Sequence, residues 1–114
     1  MRRIALAALA ALAFACASAR AQAPGGARIF VDPQKGNCIA CHQVSDPAAP
    51  KTRSDVGPRL EGARMRAIGR DRLRALLTDP MANNPETMMP PYGRHRILDA
   101  SEIDRVIDYL YALP

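Results

Sequence analysis

The chain has 114 residues, 48% hydrophobic but only 4% aromatic, with a formal charge of +5 and three cysteines. That length accommodates one domain with a marginal apolar core. The scarcity of aromatics and the mild basic excess argue against nucleic-acid binding.

The first element is not part of the fold. Met1-Arg2-Arg3 is followed by an apolar run from Ile4 to Ala15 and then by Ala19-Arg20-Ala21. A charged start, a short apolar stretch and an A-x-A site form a secretory signal. The run is short for a bilayer span, which sets an uncleaved anchor aside. Arg2-Arg3 lacks the surroundings of a twin-arginine signal. Residues 1–21 are therefore expected to be removed, leaving 22–114 as the domain, exported to the periplasm. The loss of Arg2, Arg3 and Arg20 takes the formal charge from +5 to +2. Cys16 lies within the leader, and a membrane attachment would arise only if it were lipidated; Ala13-Phe14-Ala15-Cys16 lacks the usual leucine. The mature chain then holds only Cys38 and Cys41.

Gln22 to Gly26 reads as a flexible lead. Ile29 and Phe30 begin a first helix expected to pack on the last one. Pro33 either stops that helix or, with Asp32 as cap, starts the next turn; Gly36-Asn37 is a turn signal. Then comes Cys38-Ile39-Ala40-Cys41-His42. This is C-x-x-C-H, the attachment signature of a c-type haem. Two thiols add across two vinyl groups of one porphyrin edge, and one turn of backbone sets both sulfurs there. The adjoining histidine then offers an imidazole nitrogen to the iron. A zinc site would want four Cys or His ligands, and only His42 and His95 remain as candidates. A thiol-redox C-x-x-C would want a βαβ context, which is missing. A buried porphyrin would also supply apolar volume to a small core, so poor folding without haem is expected.

Residues 44–57 read as loop, ending in Gly57-Pro58-Arg59-Leu60-Glu61-Gly62. By itself this would be an ordinary Gly-Pro turn. Downstream of C-x-x-C-H, the Pro58 carbonyl is placed to accept the imidazole N–H and fix its tautomer, while Leu60 lies against the porphyrin. The spacing of Ile68, Leu73, Leu76 and Leu77 predicts a helix over 68–78. Residues 80–94 form a proline-rich loop. Asp99-Ala100-Ser101-Glu102 is a capping-box pattern, and Ile103, Val106, Ile107, Leu110 and Leu113 recur at helical spacing. Tyr109 and Tyr111 read as packing residues.

The second axial ligand comes from Met65, Met81, Met88, Met89 or His95. A thioether favours ferrous iron and raises the potential, which suits an electron carrier. Met89 directly precedes Pro90-Pro91, whose fixed φ stiffens the segment, so Met89 is preferred and Met88 is the runner-up. Met65 and Met81 read as core or loop filler. His95 sits between Arg94 and Arg96 on a charged, solvated stretch.

C-x-x-C-H, then G-P-x-L-x-G, then a late M-P-P-x-G before a capped helix resembles the class I cytochromes c across the mature chain. The resemblance implies an all-α fold of about four short helices wrapped around one covalently attached haem c. The finer wording, from Gly36 to His42, Asp79 to His95 and Glu102 to Leu113, is similar to the SoxX family, the small monohaem subunits of SoxAX complexes. That likeness implies a redox subunit bound to a haem-bearing, SoxA-like catalytic subunit. Such a pair oxidatively couples thiosulfate to a cysteine of the Sox carrier protein, which docks transiently, and passes electrons to a soluble cytochrome c. Carried over by motif, Cys38 and Cys41 are the thioether positions, His42 the proximal ligand and Met89 the distal one. The partner's reactive cysteine has no counterpart, so the chain alone is an electron carrier without a catalytic residue.

The competing reading is a free-standing periplasmic shuttle with the same fold and haem site. A small-ligand sensor would need an open iron position, against which Met89 argues. The basic residues between Lys51 and Arg74 read as a solvated face, or as a surface that steers thiosulfate or an acidic partner.

Overall fold

The computed structural model describes residues 25–114. The leader, Cys16 and the expected cleavage site lie outside the described residues. Four helices follow in order: α1 (Gly26–Val31), α2 (Gly62–Ile68), α3 (Arg70–Thr78) and α4 (Ala100–Ala112). Among the described residues there is no strand, only an isolated parallel bridge between Val44 and Leu60. None of their helices is long and apolar enough to cross a membrane.

The last helix is the spine. Its start is the capping box the sequence spells: the Glu102 N–H donates to Asp99 Oδ1 at 2.7 Å, and the Asp99 N–H donates to Glu102 Oε2 at 3.0 Å. Two of the helix's orphan donors are thereby satisfied. Its apolar stripe, Ile103, Val106, Ile107 and Leu110, is buried. Against it lies α1, packed on α4 as expected with Ile29 and Phe30 buried, but the helix starts at Gly26, inside the expected lead, and not at Ile29. The crossing is close because Gly26 has no side chain: a Cβ there would stand 1.9 Å from the Arg105 carbonyl oxygen. Phe30 then meets Tyr109 with ring centroids 5.4 Å apart and planes tilted by 59°, a favoured aromatic arrangement. The Tyr109 hydroxyl donates to Asp46 at 2.8 Å.

Both options for Pro33 are realised around Asp32. The first helix ends at Asp32, whose N–H closes on Arg28 O. Its carboxylate accepts from the Gln34 N–H at 2.8 Å, and its carbonyl accepts from Lys35 and Asn37. One residue thus stops a helix and starts the turn toward the cysteines.

The predicted helix over 68–78 is two helices. It breaks at Gly69, whose φ of +89° is open to glycine and strained for other residues. Ile68 therefore ends α2 instead of heading the apolar face of α3, where Leu73 and Leu77 are buried. Periodicity gave no sign of α2, because Met65 is its single large fully buried side chain. Gly62 lets the start of α2 abut the end of α4, since a Cβ would lie 1.9 Å from the Leu113 carbonyl. The Arg66 guanidinium completes the junction by donating to Tyr111 O at 2.8 Å and Leu113 O at 3.1 Å. These are carbonyls that α4 leaves unpaired, at the end where its dipole favours a cation.

Two arginines of the basic stretch reach across to α4. Arg70 pairs with Asp108 at 2.6 Å and Arg74 pairs with Asp104, both across to α4. Arg70 also lies over the Tyr111 ring, 4.5 Å from its centroid. These two half-exposed pairs tie α3 to α4, while Arg72 is exposed.

Candidate haem site

Cys38–Ala40 forms a single 3-10 turn, entered through Asn37 in the left-handed region at φ +46°. The N–H groups of Cys41 and His42 both return to the Cys38 carbonyl, at 3.1 and 2.8 Å. The two cysteines are thus one turn apart. Cys38 is buried and Cys41 half-buried. As a free thiol, Cys38 is pushed up to about 12, chiefly by burial. A reactive redox cysteine needs the opposite shift.

The His42 ring is fixed from one side. Its Nδ1 stands 2.7 Å from the Pro58 carbonyl oxygen. A carbonyl only accepts, so Nδ1 carries the proton and Nε2 keeps its lone pair for a metal. Gly57 makes this approach possible, because a Cβ there would be 2.3 Å from His42 Cε1. Three backbone bonds stitch the two segments together: Gly57 N–H to Cys41 O at 2.9 Å, Leu60 N–H to Gln43 O at 2.9 Å, and Ser45 N–H to Leu60 O at 3.0 Å.

The five candidates for the second ligand separate by burial. Met65 is in the core, Met81 is exposed, Met88 is 82% exposed, and His95 is exposed. Met89 is half-buried and packs against the same apolar cluster as Ile39, Val44 and Leu60. The Met89 N–H donates to Thr87 Oγ1 at 3.2 Å.

Two groups near the site escaped the sequence reading. Tyr92, 7% exposed, donates its hydroxyl to the Gly36 carbonyl at 2.8 Å. Burial raises its pKa, with Cys38 and Cys41 adding to the shift. Its signal was a tyrosine in an otherwise rigid Pro-Pro-Tyr-Gly segment, since a buried phenol must find a partner. Lys35, in the turn before Cys38, pairs at 2.7 Å with the buried Glu102 of the α4 cap. Nothing local distinguishes that lysine; only the fold brings Lys35 and Glu102 together.

Two thiols a turn apart, an oriented imidazole and a half-buried thioether on a proline-stiffened segment fit haem c, with nitrogen and soft sulfur donors for iron. The cytochrome c family model matches residues 24–114, and the chain belongs to the cytochrome c family. It is a class I cytochrome c electron-transfer domain of a family that carries haem c covalently. Its backbone is similar to a chain in the crystal structure of SoxXA from P. pantotrophus, with a TM-score of 0.65 and 25% sequence identity, covering 80% of this chain and 83% of that one. The protein is thus a SoxX-like cytochrome. Among curated proteins, none matches it in sequence.

Proposed function

We propose that this chain is the periplasmic electron-transfer subunit of a SoxAX-like complex that oxidatively couples thiosulfate to a carrier-protein cysteine. Cys38 and Cys41 would hold one haem through thioethers, and His42 and Met89 would supply nitrogen and sulfur to its iron. The carrying observation is the likeness to a SoxXA chain over four-fifths of both lengths. A SoxA-like subunit is the stable partner, the carrier protein docks transiently, and a soluble cytochrome c takes the electron.

When bound, the haem supplies a one-electron ferric–ferrous couple. The chain's own residues tune and protect it. The Pro58 carbonyl holds the His42 tautomer and orientation and makes the imidazole a better donor. The Met89 thioether stabilises the reduced state. Leu60, Ile39 and Val44 offer apolar cover, which lowers the local dielectric and disfavours extra charge. Groups already aimed at the centre need little rearrangement when the charge changes.

Assembly is favoured over a solitary shuttle by the segment that bears Met89. That segment exposes Met81 and Met88, apolar side chains that a subunit contact would cover. The test is purification from the periplasm. The mature chain is expected to leave with a second haem protein, and thiosulfate turnover is expected only from the pair. A monomer that shuttles electrons at full rate by itself would overturn this reading.

A further inference from the structure

The segment carrying Met89 is tied to the fold at its ends and largely exposed between them. Upstream, Pro80 is buried and the Asp79 N–H closes on Ala75 O at 2.9 Å. From Met81 to Pro90 every residue is exposed except Thr87 and Met89, which are half-buried. The Met89 N–H bonds only within the segment, to Thr87. Downstream, Gly93 and Arg94 donate to Leu77 O and Thr78 O at 3.2 and 2.9 Å. Those bonds hold the segment to α3 and not to the turn that bears the cysteines.

The Tyr92 hydroxyl makes that missing link. It reaches the Gly36 carbonyl, 56 positions away in sequence and two residues before Cys38, through a buried 2.8 Å bond. Gly36 is itself buried, so its carbonyl has little access to water in place of the phenol. Such a buried acceptor is costly to leave unpaired.

We propose that the Tyr92 hydroxyl is a latch for Met89: by bonding Gly36 it ties the methionine segment to the attachment turn and sets how readily an outside ligand displaces the thioether. Tyr92 is a positioning residue here, acting through the backbone. The inference rests on Met89 being the ligand.

The test uses the ferric holoprotein and follows, by stopped flow, the limiting rate at which saturating imidazole replaces the thioether. Tyr92→Phe keeps the ring and its packing, so the thioether-to-iron absorption band persists at rest. Its limiting rate is expected to rise about five- to tenfold, the scale of one buried hydrogen bond. Tyr109→Phe loses a part-buried tyrosine bond, to Asp46 and not to the attachment turn, and is expected to leave the rate unchanged. A Tyr92→Phe rate equal to the wild type overturns the latch, as does an equal acceleration by Tyr109→Phe, which would signify general loosening. If instead the band survives in Met89→Ala, the ligand assignment has failed and not the latch alone.

Discussion

The two sides of the haem site are built to different tolerances. On the attachment side, the His42 ring is locked by the Pro58 carbonyl, walled by Gly57, and flanked by three backbone bonds between residues 41–45 and 57–60. On the methionine side, Met89 hangs in an exposed segment whose stiffness comes from prolines and whose anchors sit at its ends. The contrast separates two tasks. Permanent attachment asks for an orientation that never varies. In the proposed role, the Met89 thioether needs only enough restraint to stay on the metal, and the same exposed segment is open to a partner.

The largest expected effect comes from breaking the tight side. Gly57→Ala puts a methyl into the imidazole, so either the ring or the 57–60 segment must move. A loss of about 1–3 kcal/mol in unfolding free energy is expected from such overpacking, together with a shifted reduction potential. Denaturant unfolding and voltammetry check both. Unchanged values would mean that the approach of Gly57 to His42 is not needed.

Next, Met89→Ala probes the loose side. The holoprotein is expected to fold and keep its haem, lose the thioether-to-iron band and show a lower potential, because the ligand favouring ferrous iron is gone. Met88→Ala is expected to leave the spectrum as it was, since that side chain faces solvent. The reverse pattern would move the ligand by one residue.

The smallest effect sharpens the comparison by way of the tie between the attachment turn and α4. The hydrogen bond from Lys35, followed by the bond to the Asp99 backbone, holds Glu102 below its usual 4.5. Its contribution is therefore complete above 4.5 and lost as pH falls through the lowered folded value. The same hydrogen bond holds Lys35 above its usual 10.5, so the lysine's share is complete below 10.5 and lost as pH rises through the raised value. Lys35→Met is expected to lower stability slightly across the window between them, as a partly exposed pair should. In acid below the lowered Glu102 range, the unfolding curves of variant and parent are expected to coincide. A gap of equal size at both ends would assign the effect to packing.

Much of this was legible in the chain. The α4 cap, its apolar stripe and the pairing of the first and last helices follow from Asp99, Glu102 and the spacing of Ile103, Val106 and Leu110, because capping and amphipathicity act within a few residues. The contact between His42 and the Pro58 carbonyl was also anticipated, since C-x-x-C-H states what its histidine requires. The break at Gly69 was harder to see: the apolar spacing runs straight across it, while the turn depends on a backbone angle. Helix α2 was invisible because its packing is carried by Met65 and by the absence of a side chain at Gly62.

The amino-acid order by itself pointed to covalent haem attachment, through C-x-x-C-H, and to a few short helices, because those signals are local spacings. The tertiary structure alone decided that Met65 is in the core while Met89 is half-buried, which arginines are bound to α4, and that Tyr92 and Lys35 reach Gly36 and Glu102. Those facts depend on residues far apart in the chain meeting in space, and only packing around α4 brings them into contact.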